Sequence, residues 1–412
     1  MKSDLSPSLP HTTVQRDTAL GRNVLIALLW ALGLSGFLVN ADNRSLSPIL
    51  PAVASDLHVG ESTAGLLITA YSIPYGLFQL FYGPLADRIG KIRTITLAFS
   101  LFAISTFSCS FMSSFNWMFV MRIVTGMFAA GIIPIALAQI GDSFPIQERP
   151  KAIAFFMSMS TSGQALGIVI GGIVSQFVSW KMLFVMTGVL AVPAVLLFFR
   201  QRSTHSVEEK ALIPLRERYR LIFSKKRSWA IYAMIFLEGA TFFGAFTFLG
   251  LYGHLSLGLN FFTIGLLTAL YSAGAFGGSF LISVMVRKIG QPQMPLFGGL
   301  LMALGYGVIW LLPTVTALTI GFVLLGVGYS FCHSALQTFA TELLPQARAT
   351  AMSVFAFCLF LGTGLGPVWL GEVYDLTGMN GLLEASTLST LLFAILCGLL
   401  FARRKTESPK TV

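Results

Sequence analysis

Apolar residues in this chain come in long uninterrupted runs, separated by short breaks rich in charge, proline or glycine. The runs lie at approximately 24 to 50, 62 to 82, 94 to 112, 117 to 140, 152 to 176, 181 to 199, 229 to 251, 262 to 286, 295 to 312, 317 to 341, 351 to 374 and 381 to 401. A helix of about 20 residues crosses the roughly 30 Å hydrocarbon layer and satisfies all its backbone donors and acceptors internally. The pattern therefore predicts an all-α membrane protein of twelve transmembrane helices. An even number places both termini on one side.

The polar positions say which side. The tail 1–23 holds three basic residues, the 83–93 loop three, the 141–151 loop two, the 200–228 segment nine, the 287–293 loop two, the 342–350 loop one and the tail 402–412 four. The opposite loops hold Lys181 beside Asp56, Glu61, Glu372 and Asp375. By the positive-inside rule both termini are cytoplasmic, in a bacterial plasma (inner) membrane. The net charge of +10 is then a topology signal. Nucleic acid is excluded as a partner, because the bases sit in short loops without interleaved aromatics.

Composition agrees. Of 412 residues 55% are hydrophobic and 11% charged, too little polar material to clothe a water-soluble fold of this length. The first 23 residues lack the apolar core of a signal peptide and read as a short disordered tail. Residues 200–228 form a cytoplasmic linker between an N-terminal half, 24–199, and a C-terminal half, 229–401, of six runs each. A solvated linker with a short amphipathic helix, its bases near the anionic inner leaflet, is expected there. Cys109, Cys332, Cys358 and Cys397 all fall within apolar runs without metal or redox spacing and read as packing residues.

The halves echo each other. Arg88-Ile89-Gly90 matches Lys288-Ile289-Gly290 at an offset of 200, and Arg149, Gly163 and Gly167 match Arg348, Gly362 and Gly366 at an offset of 199. Two matches at nearly one spacing suggest duplication, and paired halves that rock about a central site suit alternating access.

These residues resemble the major facilitator superfamily, and within it the drug:proton antiporter and sugar-efflux-like branch. GPLADRIGKIR, 83 to 93, is similar to the superfamily's motif between helices 2 and 3 through Gly83, Asp87, Arg88, Gly90 and Lys91. RIVTGMFAAGIIP, with Arg122, Gly126 and Pro134, resembles its helix-4 motif. GQALGIVIGG resembles the antiporter motif of helix 5 through Gly163, Gly167, Gly171 and Gly172. The resemblance implies a secondary transporter acting as a monomer. It also implies that Asp87 acts as a conformational latch between the halves, with Arg149 and the start of helix 11 as candidate neighbours. Gly83 and Gly90 would allow tight turns and close helix approach. The alternative is that Arg88, Lys91 and Arg93 merely enforce topology.

Charges within the runs need another explanation, since each costs roughly 2.5 to 3.5 kcal/mol on insertion scales if it faces lipid at the centre. Asp42 and Arg44 lie in the outer half of the first run, Arg122 near the outer end of the fourth and Glu238 in the seventh. Asp42 and Arg122 share a depth, so an ion pair is expected, either a proton switch or a fixed pair that orders the N-terminal half. Glu238 has no base in its own run and is expected to lack a partner, which suits a proton carrier or a binder of cationic substrate; the alternative is a hydrogen-bonded structural acid. Ser330, His333, Ser334, Gln337 and Thr341 share one helical face expected to line a cavity. His333 can titrate or donate to substrate there, or hydrogen-bond a neighbouring helix. Asn40, Tyr71, Gln79, Gln139 and Gln164 are weaker candidates of the same kind.

The leading function is proton-coupled efflux of small amphipathic molecules or drugs, with Asp42 and Glu238 titrating. The alternative is proton-linked uptake of an anionic metabolite drawn by Arg44 and Arg122. An intramembrane enzyme or receptor is disfavoured, because the chain has no metal spacing and no nucleophile motif. No cofactor is expected, and no GxxxxGK[ST] signature points to direct ATP coupling. The expected partners are a small-molecule substrate, protons and the lipid bilayer.

Overall fold

The computed structural model describes residues 11–201, 214–344 and 348–402. Residues 1–10 and 403–412 of the expected tails and 202–213 of the linker lie outside the described residues. Among the described residues all regular structure is helical. The membrane helices are α1 (Arg22–Asp56), α2 (Glu61–Ile89), α3 (Lys91–Cys109), α4 (Phe115–Ser143), α5 (Arg149–Phe177), α6 (Lys181–Arg200), α7 (Lys226–Leu255), α8 (Phe261–Ile289), α9 (Gln291–Leu311) and α10 (Val315–Thr341). They are followed by a 52-residue apolar stretch, Thr350–Phe401.

At 1.5 Å per residue that last stretch would run about 78 Å as one rod, more than twice the hydrocarbon thickness. It breaks at Gly378, whose φ of 72° and ψ of −170° are not helical. The break yields α11 (348–377) and α12 (379–402), which completes the twelve crossings. The helix containing α1 begins at His11, so part of the expected disordered tail is helical. Polar residues can prolong a helix into water, which an apolar run does not register. The linker contains a short helix, Leu215–Phe223, whose Ile222 is fully buried against the C-terminal half.

Local chemistry explains where rods bend or turn. Pro134 has no N–H to offer the carbonyl one turn back, and α4 is interrupted at Ala130–Gly131. The α2–α3 and α8–α9 turns pivot on Gly90, φ 94°, and Gly290, φ 80°. A β-carbon is strained in that left-handed region, so the internal repeat reuses glycine there.

Within the N-terminal half α1 packs on α5 and α6, and α4 on α2 and α3; within the C-terminal half α7 packs on α11, α10 on α8 and α9, and α9 on α12. Between halves α2 meets α11, α5 meets α8, and the 3₁₀ turn Ser47–Ile49 of α1 meets α7. Three polar contacts between the halves lie away from the basic loops. Ser62 Oγ donates to Asp375 Oδ2 at 2.7 Å, Thr69 Oγ1 to the Gly364 carbonyl at 2.6 Å, and the Phe261 N–H to Gln176 Oε1 at 3.0 Å.

Toward the basic loops the halves part. On the face of α5 that meets α8, Gly172 and Ile168 are buried, yet Thr161 and Ser158, further along the same stripe, are exposed. The facing stripe of α8 behaves alike, from buried Gly265 and Thr268 through half-buried Ser272 to exposed Ser279 and Ser283. Two stripes that start buried and end exposed enclose a cleft. It opens at the basic end and carries hydroxyls on both walls.

Candidate functional site

The intramembrane charges converge where this cleft ends. Successive helical residues turn by 100°, so Asp42 and Arg44, two apart on α1, point to nearly opposite sides. Asp42 turns into its own half, where its Oδ2 accepts a hydrogen bond from Arg122 Nη1 at 2.8 Å, and both side chains are 1% exposed. The guanidinium Cζ lies 4.4 Å from the Tyr71 ring centroid and 5.8 Å from that of Phe184. Arg122 Nε has no hydrogen-bond partner among the described residues.

Arg44 points the other way, across to the C-terminal half. Its Cζ lies 3.7 Å above the centre of the Phe243 ring, and Tyr71, Tyr271 and Tyr329 lie within electrostatic reach of its charge. It is half-buried, with no ion pair among the described residues. The two arginines are thus chemically distinct. Arg122 is neutralised by a carboxylate, whereas Arg44 rests on aromatic faces.

Glu238 lies at the centre of α7, fully buried, immediately before the π-helical turn Gly239–Phe243. Such wide turns concentrate at functional sites. This one is held where Gly239 and Gly244 press against the backbone of α11 and where Tyr306 donates to the Phe242 carbonyl at 2.7 Å. The expectation that Glu238 lacks a partner is corrected by the structure. His333 of α10 places Nδ1 3.1 Å from Glu238 Oε2, because the polar face of α10 turns toward α7. Glu238 Oε1 has no hydrogen-bond partner among the described residues, and the His333 side chain remains 20% exposed. His333 stacks on Tyr329, centroids 4.8 Å apart, and Tyr329 lies 5.3 Å from Phe243, the ring beneath Arg44. Arg44 and the Glu238–His333 pair therefore share one aromatic wall.

The other candidates divide. Gln337, one turn from His333, is exposed, while Ser330, Ser334 and Thr341 donate to carbonyls of their own helix. Asn40 binds the Ser160 hydroxyl at 2.6 Å, a helix–helix bond, and Gln139 binds Ser143. In the helix-5 motif Gly163, Gly167 and Gly171 press against α1 at Phe37, Ala41 and Ser45, and Gly172 presses against Phe261 and Gly265 of α8. The repeated glycines Gly362 and Gly366 press likewise against Phe236, Ala240 and Gly244 of α7.

At the basic end Lys91 Nζ pairs with Asp142 Oδ2 at 2.7 Å, tying the α2–α3 turn to the end of α4. Arg149, expected beside Asp87, instead directs Nε to the Phe144 carbonyl at 2.8 Å. Asp87 and Arg88 are exposed. Gly83 meets nothing within 4 Å of where a β-carbon would sit, which corrects the expectation that it permits close helix approach. An apolar groove of about 470 Å³ between α2, α3 and α4, lined by Phe78, Phe81, Leu97 and Phe128 with Arg88 at its edge, lies about 10 Å along α2 from Tyr71 and is separate from the central cluster.

Sequence reasoning missed the aromatic setting of Arg44, the contact between Glu238 and His333, the π turn and Asp142. A signal for one was present, since Asp142 is an unexplained carboxylate in a basic loop.

Residues 32–367 match the Major Facilitator Superfamily. The chain belongs to this superfamily. It is a secondary transporter and an integral membrane protein, not an enzyme. It is 27% identical over 363 residues to the uncharacterized MFS-type transporter YceJ of Bacillus subtilis, covering 87% of this chain and 92% of that protein. It is 25% identical over 341 residues to the quinolone resistance protein NorA of Staphylococcus aureus, covering 80% and 85%. Among solved structures, a bacterial homolog of the human lysosomal transporter Spinster, inward-facing and unoccupied, superposes with a TM-score of 0.74 at 20% identity, covering 91% of this chain and 95% of that one. The nucleoside transporter NupG gives 0.75 at 16% identity, covering 91% and 98%. These two likenesses bear on the fold.

Proposed function

We propose that this facilitator protein exports small amphipathic molecules in exchange for protons, by alternating access, with its basic end and both termini in the cytoplasm. The observation that carries the reading is the fully buried Glu238, hydrogen-bonded to His333 beside an aromatic wall on which Arg44 of the other half rests. A carboxylate there can hold a proton or a cationic group in turn, and apolar rings bind planar molecules without strict hydrogen-bond geometry. The likeness to a protein named for quinolone resistance supports the drug-efflux branch. Asp42 is the second titrating group, since its neutralisation releases Arg122.

The test is purified protein in liposomes with an imposed pH gradient, screened against cationic, neutral and anionic compounds while internal pH is recorded. Substrate-dependent proton movement that loses its pH dependence in Glu238→Gln is expected. An unchanged pH profile and substrate range in that variant would refute the role of Glu238. A second reading, proton-linked uptake of an anionic metabolite, is favoured by one observation, the Arg44 guanidinium without a carboxylate partner among the described residues. Substrate and protons moving in the same direction in the same liposomes would select it.

A further inference from the structure

We infer that Arg44, with the rings of Phe243, Tyr271 and Tyr329, is the recognition site for a substrate that carries a carboxylate on a planar aromatic body. This rests on reading the central cluster as the transport site, and it names the class of molecule that site takes. Arg44 is a cation inside a membrane span that no carboxylate neutralises among the described residues, unlike Arg122. An arginine kept in such a place without an anion is costly, and such residues in spans mark ligand or ion pathways.

The geometry says how the anion would bind. With Cζ 3.7 Å above the Phe243 ring, one face of the guanidinium is covered. Its N–H groups radiate from the edge in a planar fork that matches a carboxylate in two parallel hydrogen bonds. No hydrogen bond within the described residues uses them. The surrounding rings supply the other half of the site. Phe243 and Tyr329 meet edge to face with centroids 5.3 Å apart, and Tyr271 and Tyr329 are tilted with centroids 5.9 Å apart, so the three rings form an apolar corner beside the guanidinium.

Neither neighbouring carboxylate competes. Asp42 faces the opposite side of α1 and is held by Arg122, and Glu238 is held by His333 behind Tyr329. An aromatic carboxylate would thus lie with its anionic end on Arg44 and its ring against the partly exposed Tyr329, which buried Tyr271 backs. Arg44 comes from the N-terminal half and the three rings from the C-terminal half, so the ligand would touch both.

The experiment is equilibrium binding to the purified full-length protein in detergent, without a gradient, using 2-naphthoate and 2-naphthamide. The two share a ring system and differ in charge. Wild-type protein is expected to bind 2-naphthoate at least tenfold more tightly. Arg44→Gln should abolish that preference while changing 2-naphthamide affinity less than about twofold, and Arg44→Lys, which keeps the charge but loses the fork, should retain part of it. Equal affinities in the wild type, no measurable binding of either probe at millimolar concentration, or a preference that survives Arg44→Gln would each overturn the inference. The wild-type comparison stands even if a variant fails to fold. Binding preference without proton movement in liposomes would sink the proton-coupled reading and leave this one intact. Proton-coupled export of cations by a protein indifferent to naphthoate would do the reverse.

Discussion

Replacing Asp42 by asparagine separates the two roles open to the Asp42–Arg122 pair. Both side chains are 1% exposed and their single contact is 2.8 Å. Removing one member of such a pair strands the other charge, at a cost of about 3 to 5 kcal/mol. An asparagine carbonyl still accepts one hydrogen bond, and Tyr71 remains 4.4 Å from the guanidinium, so the loss belongs at the low end, about 3 kcal/mol. In the double variant Asp42→Asn with Arg122→Gln neither charge remains, and stability should return to within about 1 kcal/mol of wild type. Thermal unfolding of the detergent-purified proteins reads stability, and proton-coupled flux in liposomes at equal protein content reads function. A fixed pair that only orders the N-terminal half predicts recovery of both in the double variant. A proton switch predicts recovery of stability alone. Wild-type melting of the single variant would show that the pair is worth far less than its burial implies, and normal flux through the double variant would end the switch.

Two further outcomes are expected. Asp87→Asn should insert and fold normally but lose most of its transport, measured as flux per amount of protein at the cell surface; equal flux at equal amount would remove the latch role and leave the 83–93 charges as topology signals. Gly172→Leu places a side chain against the Phe261 carbonyl and Gly265, where α5 and α8 cross, and should hold the outer end apart. A cysteine introduced at Gln176 of that variant should then react faster with a membrane-impermeant reagent added from outside, and unchanged labelling would mean the crossing is not tight when the outer end is sealed.

The twelve crossings were legible because lipid imposes a coarse rule, long apolar runs, that needs no knowledge of packing. Gly90 and Gly290 were legible as repeats, and their positive φ values supply the reason the residue type recurs. The Asp42–Arg122 contact followed from depth, since two charges at one level of a bilayer have strong reason to meet. Depth failed for Glu238 and His333. They lie on helices far apart in the chain, and a polar stripe on α10 reveals a face but not which helix the face meets. The rings around Arg44 were invisible for a different reason. In a chain with 36 phenylalanines, four aromatic residues near one arginine make no contrast against the background. Gly83 shows the converse error, a motif position whose expected close contact is absent here.

The arrangement of charge also bears on how the halves can move. Each half carries its own acid and its own base in contact, Asp42 with Arg122 in one and Glu238 with His333 in the other. Rocking the halves apart therefore breaks neither pair, and for Asp42–Arg122 a penalty of about 3 to 5 kcal/mol for stranding a buried charge is avoided. What does cross between the halves is weaker. The Ser62–Asp375, Thr69–Gly364 and Gln176–Phe261 hydrogen bonds are worth about 1 kcal/mol each, somewhat more where a carboxylate accepts, and Arg44 over Phe243 contributes up to about 2 kcal/mol. These contacts can seal the outer end yet yield to a change of a few kcal/mol, which is about what a proton or a carboxylate arriving at the central cluster can supply. Had Arg44 been paired with Glu238 across the gap, opening would have required parting a buried ion pair.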